Sequence, residues 1–198
     1  MRTLGILLAG GRGSRLAQGS PKAKVLLEGE TLFERAAREL SAVCDEVVVV
    51  LPEDFELATS LPRVNDLIAA GGPLSALVAG LEARAFERAL ALGVDFPRLT
   101  ASKLTRLLAA HGDHPATVPA PGGRPQPLTA VYSRTARLPL RQAFESGARA
   151  VTPAVMALGP RMLADHELRA LGLAPGDFAD LDRPEDLAAF ESRARREA

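Results

Sequence analysis

The chain has 198 residues, 47% of them hydrophobic and 24% charged, with 24 basic side chains balanced by 24 acidic ones. A globular domain of this size buries roughly 70% of its unfolded surface without a disulfide or metal staple, and a net charge of zero argues against a broad basic face for nucleic acid. One cysteine, Cys44, excludes an internal disulfide framework, His111, His114 and His166 form no zinc pattern, and no run of 18 apolar residues occurs, so a cytoplasmic protein away from membranes is expected.

Taken in chain order, Thr3–Ala9 is a continuous apolar run that ends at glycine, the pattern of a strand buried on both faces. Thr31–Val43 carries apolar residues at helical spacing, and Thr31 with Glu34 reads as a capping box. Cys44 continues that apolar helix pattern and reads as core filler. Glu46–Leu51 is a second buried strand, Pro73–Phe86 a helix opened by proline, and Arg88–Val94 a third strand. Thr100–His111 reads as a helix with Thr100 as its cap. The stretches PATVPA and PLTAVY read as short strands around the turn-rich APGGRPQ. TARLPLRQAFESG is a helix closed by Gly147, and Arg183–Glu197 is a last helix with acids in its first turn and arginines near its end. Strand and helix alternate through the first half. The expectation is one α/β domain over 1–198, Rossmann-like, with a mostly parallel central sheet and helices on both faces. Such sheets bind ligands in the loops at the carboxyl ends of their strands.

The loop after the first strand reads LAGGRGSRL. It is not a P-loop, because no Gly-Lys-Ser/Thr follows, and it matches the dinucleotide fingerprint only at Gly11 and Gly13, since position 16 is leucine. Arg12, Arg15, Lys22 and Lys24 nevertheless crowd into thirteen residues with no carboxylate before Glu28. Four cations that close repel one another unless an anion sits among them.

LAGGRGSRL followed by SPKAKVLLEG resembles the signature of nucleotidyltransferases with a Rossmann-like, nucleotide-diphospho-sugar transferase-like core. The chain is most similar to the molybdenum cofactor guanylyltransferases. DLIAAGGPLSALVAGL, GVDFPRL, RPQPLTAVY and FADLDRPEDLAAF are similar to further motifs of that family in the same order. The resemblance implies transfer of GMP from GTP to the terminal phosphate of molybdopterin, with Mg²⁺ as cofactor and transient contact with other cofactor-biosynthesis proteins or acceptor enzymes. It implies that the backbone of Leu8, Ala9, Gly10 and Gly11 cradles the nucleotide and that Arg15 and Lys22 are the catalytic cations. Lys24 is the rival of Lys22 for that role. Asp66 would contact the nucleoside, or be an ordinary loop acid. Asp95 would contact the nucleotide and hold the metal. Asp182 would be a second metal ligand, an outer partner, or the cap of the last helix.

The chain departs from the family pattern in two places. Val50, Leu51 and Pro52 stand where an asparagine is expected, and Asp180 and Asp182 replace two asparagines of the closing motif. The reaction type is untouched, but a cytidylyltransferase on the same scaffold remains the nearest alternative, and a non-catalytic nucleotide-binding or adaptor protein the alternative of another class. Gly10 speaks for guanine: a methyl there is expected to project from the strand end toward the base, so its absence leaves room for the larger ring.

Overall fold

β1 (Thr3–Leu8) is buried along its whole length. The computed structural model to which it belongs describes residues 1–10, 21–68 and 71–197. After β1 come a two-stranded hairpin, β2 (Leu26–Leu27) and β3 (Glu30–Thr31), then α1 (Leu32–Ser41), β4 (Glu46–Leu51), β5 (Arg63–Asn65) and α2 (Gly72–Glu82). β6 (Arg88–Gly93), α3 (Ala101–Ala109), β7 (Ala116–Pro119), β8 (Val131–Ser133), α4 (Arg137–Glu145) and α5 (Val151–Met156) follow. β9 (Arg161–Leu163), α6 (Asp165–Ala170) and α7 (Pro184–Glu197) complete the order. No helix among the described residues is long and apolar enough to cross a membrane.

Among the described residues, seven strands form one sheet in the order β5-β4-β1-β6-β8-β7-β9. β1 pairs parallel with β4 and β6, β4 with β5, and β7 with β9, while β8 runs antiparallel to β6 and β7. The sheet is therefore mostly parallel, as the alternation of patterns predicts. The consecutive apolar residues of each strand serve two cores, because successive side chains point to opposite faces. Leu7, Val47, Val49, Leu90 and Leu92 pack with Leu32, Leu40, Leu104 and Phe190 on one side. Ile6, Val48, Val50, Ala89 and Ala91 pack with Leu74, Leu77, Leu140 and Val155 on the other. Gly80 lets α2 sit against β1, since a Cβ there would collide with Ile6.

Several sequence expectations shift at their edges. α1 has the expected capping box, with Thr31 and Glu34 bonded both ways. It stops at Ser41, however, so Cys44 lies beyond the helix, half-buried against one core. Thr100 sits at the α3 N-cap without a side-chain bond; the carboxylate of Glu39 accepts from Ala101 N instead, at 2.6 Å. PLTAVY becomes a strand only at Val131. Its first part folds back, with Tyr132 Oη donating to Pro127 O at 2.5 Å, and Pro127, which has no N–H, cannot donate to a ladder. The last helix begins at Pro184.

Candidate active site

β1, β4, β5, β6 and β7 all end on the same edge of the sheet. The loops that leave them carry the candidate site residues. Leu8 and Ala9 are buried at the end of β1; Val94 N donates to Leu8 O at 3.3 Å and Ala9 N to Val50 O at 3.2 Å. Gly10 is exposed just beyond. A methyl on Gly10 would meet the loop after β4, where its Cβ would lie 3.1 Å from Pro52 Cδ. Gly11, Arg12, Gly13 and Arg15 lie outside the described residues. The Val50 side chain is buried in the sheet opposite Leu8 and offers no polar group in place of an asparagine amide. Asp66 follows β5, where its N–H donates to Leu51 O at 3.0 Å. Its carboxylate accepts from the Ser75 hydroxyl at the start of α2, a bond that ties this loop to the helix.

Lys22 comes from a single 3-10 turn, Lys22–Lys24, entered through Pro21 and pinned by the fully buried Ala23. Successive residues of such a turn diverge by about 120°, so the two lysines cannot share a target. Lys22 Nζ donates to Asp95 Oδ2 at 2.8 Å and also to Asp182 Oδ1. Lys24 Nζ lies over the Phe55 ring, 5.7 Å from its centre. Burial alone would pull the Lys22 ammonium down, but the charge of Asp95 and the bonds to Asp182 and Asp95 outweigh it and hold the pKa above the ordinary lysine value. Lys22 is only 14% exposed, against 23% for Asp95 and 46% for Asp182, so its charge has little water to screen it.

Asp95 stands two residues past β6. Gly93 makes its space, since a Cβ on that residue would lie 2.6 Å from Asp95 Oδ1. Asp182 is not the cap of α7: the Asp186 carboxylate accepts from Asp182 N at 3.0 Å and from Arg183 N at 2.8 Å, which frees the Asp182 carboxylate to face Lys22. A third acid joins them. Oxygens of Asp95, Asp180 and Asp182 lie within 4.8 Å of one another. Desolvation, and then the charge of Asp182, hold the Asp180 carboxyl above its usual range. Asp180 was not among the site residues expected from the sequence. Its spacing was a usable signal, because residues two apart on an extended segment face the same way.

The three acids suit a hard divalent cation. Mg²⁺ takes oxygen ligands at 2.0–2.1 Å, so its ligands stand about 3 Å apart when adjacent and about 4 Å when opposite, and the oxygens of the three acids all lie within 4.8 Å of one another. Beside Asp180 opens a cavity of about 360 Å³, lined by Pro121, Gly122, Arg124, Gln126 and Phe178 among others. It lies past β7, on the far side of Asp95 from Gly10 and Asp66.

The model of the "MobA-like NTP transferase domain" family matches residues 5–160. A "Probable molybdenum cofactor guanylyltransferase" of Chloroflexus aggregans is 35% identical over 206 residues, covering 97% of this chain and 95% of that protein. The solved "Molybdopterin-guanine dinucleotide biosynthesis protein A" from Archaeoglobus fulgidus superimposes with a TM-score of 0.79 at 22% identity, over 98% of this chain and 99% of that one. A "2-C-methyl-D-erythritol 4-phosphate cytidylyltransferase" from Thermus thermophilus shares the fold at a TM-score of 0.71 and 22% identity, over 96% and 98%. The chain belongs to the MobA-like NTP transferase domain family of nucleotidyltransferases.

Proposed function

We propose that this chain transfers GMP from GTP to the terminal phosphate of molybdopterin and releases pyrophosphate. The observation that carries the reading is the meeting of Lys22 with Asp95, Asp180 and Asp182 at the carboxyl edge of the sheet, in a chain similar along nearly its whole length to a protein bearing that activity in its name. In the reaction, an oxygen of the acceptor phosphate attacks the α-phosphorus of GTP, a new P–O bond forms, and the bond to the β-phosphate breaks with its electron pair leaving on pyrophosphate. A phosphate monoester has a second pKa of about 6, so the nucleophile is already anionic and the site needs no strong base. The demand is for positive charge and in-line placement.

Three carboxylates against one ammonium would repel a triphosphate. In this reading Asp95, Asp180 and Asp182 would hold a Mg²⁺, which would supply the positive charge that offsets the acids and the phosphates. Lys22 is the fixed cation beside it and meets the triphosphate or the departing pyrophosphate. The Ala9–Gly10 backbone and the Asp66 loop take the nucleoside, and Gly11 and Arg15 keep the roles that the family resemblance gives them, a backbone contact and a second cation. The acceptor enters through the cavity at Arg124 and Gln126, where a cation and an amide stand next to Asp180. Cytoplasmic thiols stay reduced; Cys44 suits that setting, its burial pushing the thiol up to about 12.

Turnover with GTP, CTP, ATP and UTP against molybdopterin and Mg²⁺ tests the reading. GTP is expected to be preferred. If CTP serves at least as well, guanylyl transfer fails and nucleotidyl transfer stands. Nucleotide binding with no turnover of any of the four overturns the catalytic reading altogether.

A further inference from the structure

Asp180 and Asp182 sit on a stretch, Ala179–Arg183, that belongs to no helix or strand. Their reach to Asp95 depends on what fixes that path. Three ties do so close at hand: Leu181 N donates to Asp95 O at 3.0 Å, the side chains of Phe178 and Leu181 are buried in the core, and Asp186 holds the N–H groups of Asp182 and Arg183 from behind.

A fourth tie comes from α3. Lys103 Nζ donates to Asp177 Oδ1 at 2.8 Å and to Arg98 O at 3.0 Å. Arg98 is three residues after Asp95, and Asp177 is three residues before Asp180. One ammonium thus clasps both loops that carry the acids. The other oxygen of Asp177 accepts from Ala174 N at 2.8 Å, which locks the carboxylate in its own turn. The side chains are 27% and 12% exposed, so the pair is largely withdrawn from water and neither member is easily re-partnered.

We infer that Lys103, through Asp177 and Arg98, is a positioning residue that holds Asp180 and Asp182 within reach of Asp95 for metal binding. The inference rests on the proposed metal site. A pair that served stability alone would lower the melting temperature of the chain but leave metal affinity unchanged in protein that remains folded. A clasp that sets the separation of the acids changes affinity in folded protein.

The probe is Mn²⁺, titrated into the full-length chain and followed by its electron paramagnetic resonance signal, at a temperature where circular dichroism shows each variant folded. Lys103→Met is expected to weaken Mn²⁺ binding about 10–100-fold, the scale for losing a group that orients metal ligands. Lys103→Arg, which can still bridge a carboxylate and a carbonyl, is expected to restore most of that affinity. In kinetics, the Mg²⁺ concentration for half-maximal turnover is expected to rise more than kcat at saturating Mg²⁺ falls. Should Lys103→Met not fold, Asp177→Asn takes its place, since its one oxygen can keep the Ala174 bond while its NH2 can no longer accept from Lys103. Mn²⁺ affinity within about twofold of the unsubstituted chain, in whichever variant folds, overturns the clasp. An unsubstituted chain that fails to bind Mn²⁺ overturns the metal reading along with it.

Discussion

The two sides of the site edge are built from different materials. On the Gly10 side, the ends of β1, β4 and β5 offer mostly main chain: Ala9 and Gly10, the Asp66 N–H already bonded to Leu51, and an Asp66 carboxylate already engaged by Ser75. On the Asp95 side, the loop after β6 and the stretch before α7 offer side chains: three acids and the Lys22 ammonium between them. Main chain can follow the shape of a ligand but cannot change its charge. Side chains supply charge, yet they need other residues to aim them. Substitutions on the acidic side should therefore cost turnover, whereas substitutions on the glycine side should change which nucleotide is chosen.

The largest effect is expected at Asp95. Asp95→Asn keeps the shape and removes the charge at the residue nearest the strand end. Loss of one transition-state charge contact is worth about 3–4 kcal/mol, or roughly 10²–10³ in rate, and steady-state kinetics at saturating Mg²⁺ measure it. Near-normal turnover would show that the acidic side does not carry the chemistry. Lys22→Ala comes next, with an expected loss of roughly 10–100-fold in kcat, the scale of the about 1.5–3 kcal/mol that a hydrogen bond to a charged group contributes. Lys24→Ala, whose ammonium lies over Phe55, is expected to change turnover by less than about twofold, as surface substitutions usually do. The two lysines also part in a second measurement. Lys22→Ala leaves Asp95 and Asp182 without their ammonium, so Mn²⁺ affinity without nucleotide should hold or rise while turnover falls. Equal kinetic losses in the two variants would return the role to Lys24.

The two sides also differed in how far the sequence revealed them. The glycine run is contiguous, and its apolar lead-in announced both β1 and the loop. The alternation of buried strands and amphipathic helices gave the class of sheet, because burial on both faces leaves an unbroken apolar run that few other structures produce. The short elements were harder. β5 and β9 have three residues each, β2 and β3 two, and α5 and α6 six, too few for a period to show. On the acidic side, Lys22 and Asp182 are 160 residues apart in the chain. Spacing carries no information over that range, and only the family resemblance suggested Asp95 and Asp182. Asp180 passed as a departure from a motif, although its two-residue offset from Asp182 was visible. Gly93, whose missing side chain makes room for Asp95, opens the GVDFPRL motif, but nothing in its spacing marked that task.

A smaller effect, and one of a different kind, is expected at Gly10. Its Cβ would sit 3.1 Å from Pro52 Cδ, closer than carbon atoms settle without adjustment. Gly10→Ala therefore acts on the nucleotide by shifting the β1 and β4 ends apart, and a methyl pointed at the base is not needed. The preference of GTP over CTP, read as a ratio of kcat/KM values in competition, should fall by roughly 3–10-fold, the scale of about 1 kcal/mol of lost fit. Pro52→Ala made in the Gly10→Ala background should recover most of the ratio, because contacting residues do not act additively. Additive losses in the double variant would put the methyl itself against the base.

The smallest effect is expected at Asp180, and it runs in opposite directions with and without metal. Desolvation and the nearby charge of Asp182 raise the Asp180 pKa in the folded chain above its unfolded value. The folded state then binds more protons than the unfolded state between those two values. Stability of the metal-free chain from this group is highest below the unfolded value and falls as pH rises through that window. Asp180→Asn removes the charge and with it the fall. At neutral pH and without metal, its melting temperature should rise, by less than the roughly 2–4 °C that 1 kcal/mol gives a chain of this size, since Asp180 is exposed and solvent screens much of the repulsion. With Mn²⁺ added, the order reverses, because the unsubstituted chain gains more from a ligand that binds only the folded state. Thermal melts of both proteins with and without Mn²⁺ supply all four values. A variant stabilised by Mn²⁺ as strongly as the unsubstituted chain would remove Asp180 from the ligand set and leave Asp95 and Asp182 as the pair that holds the ion.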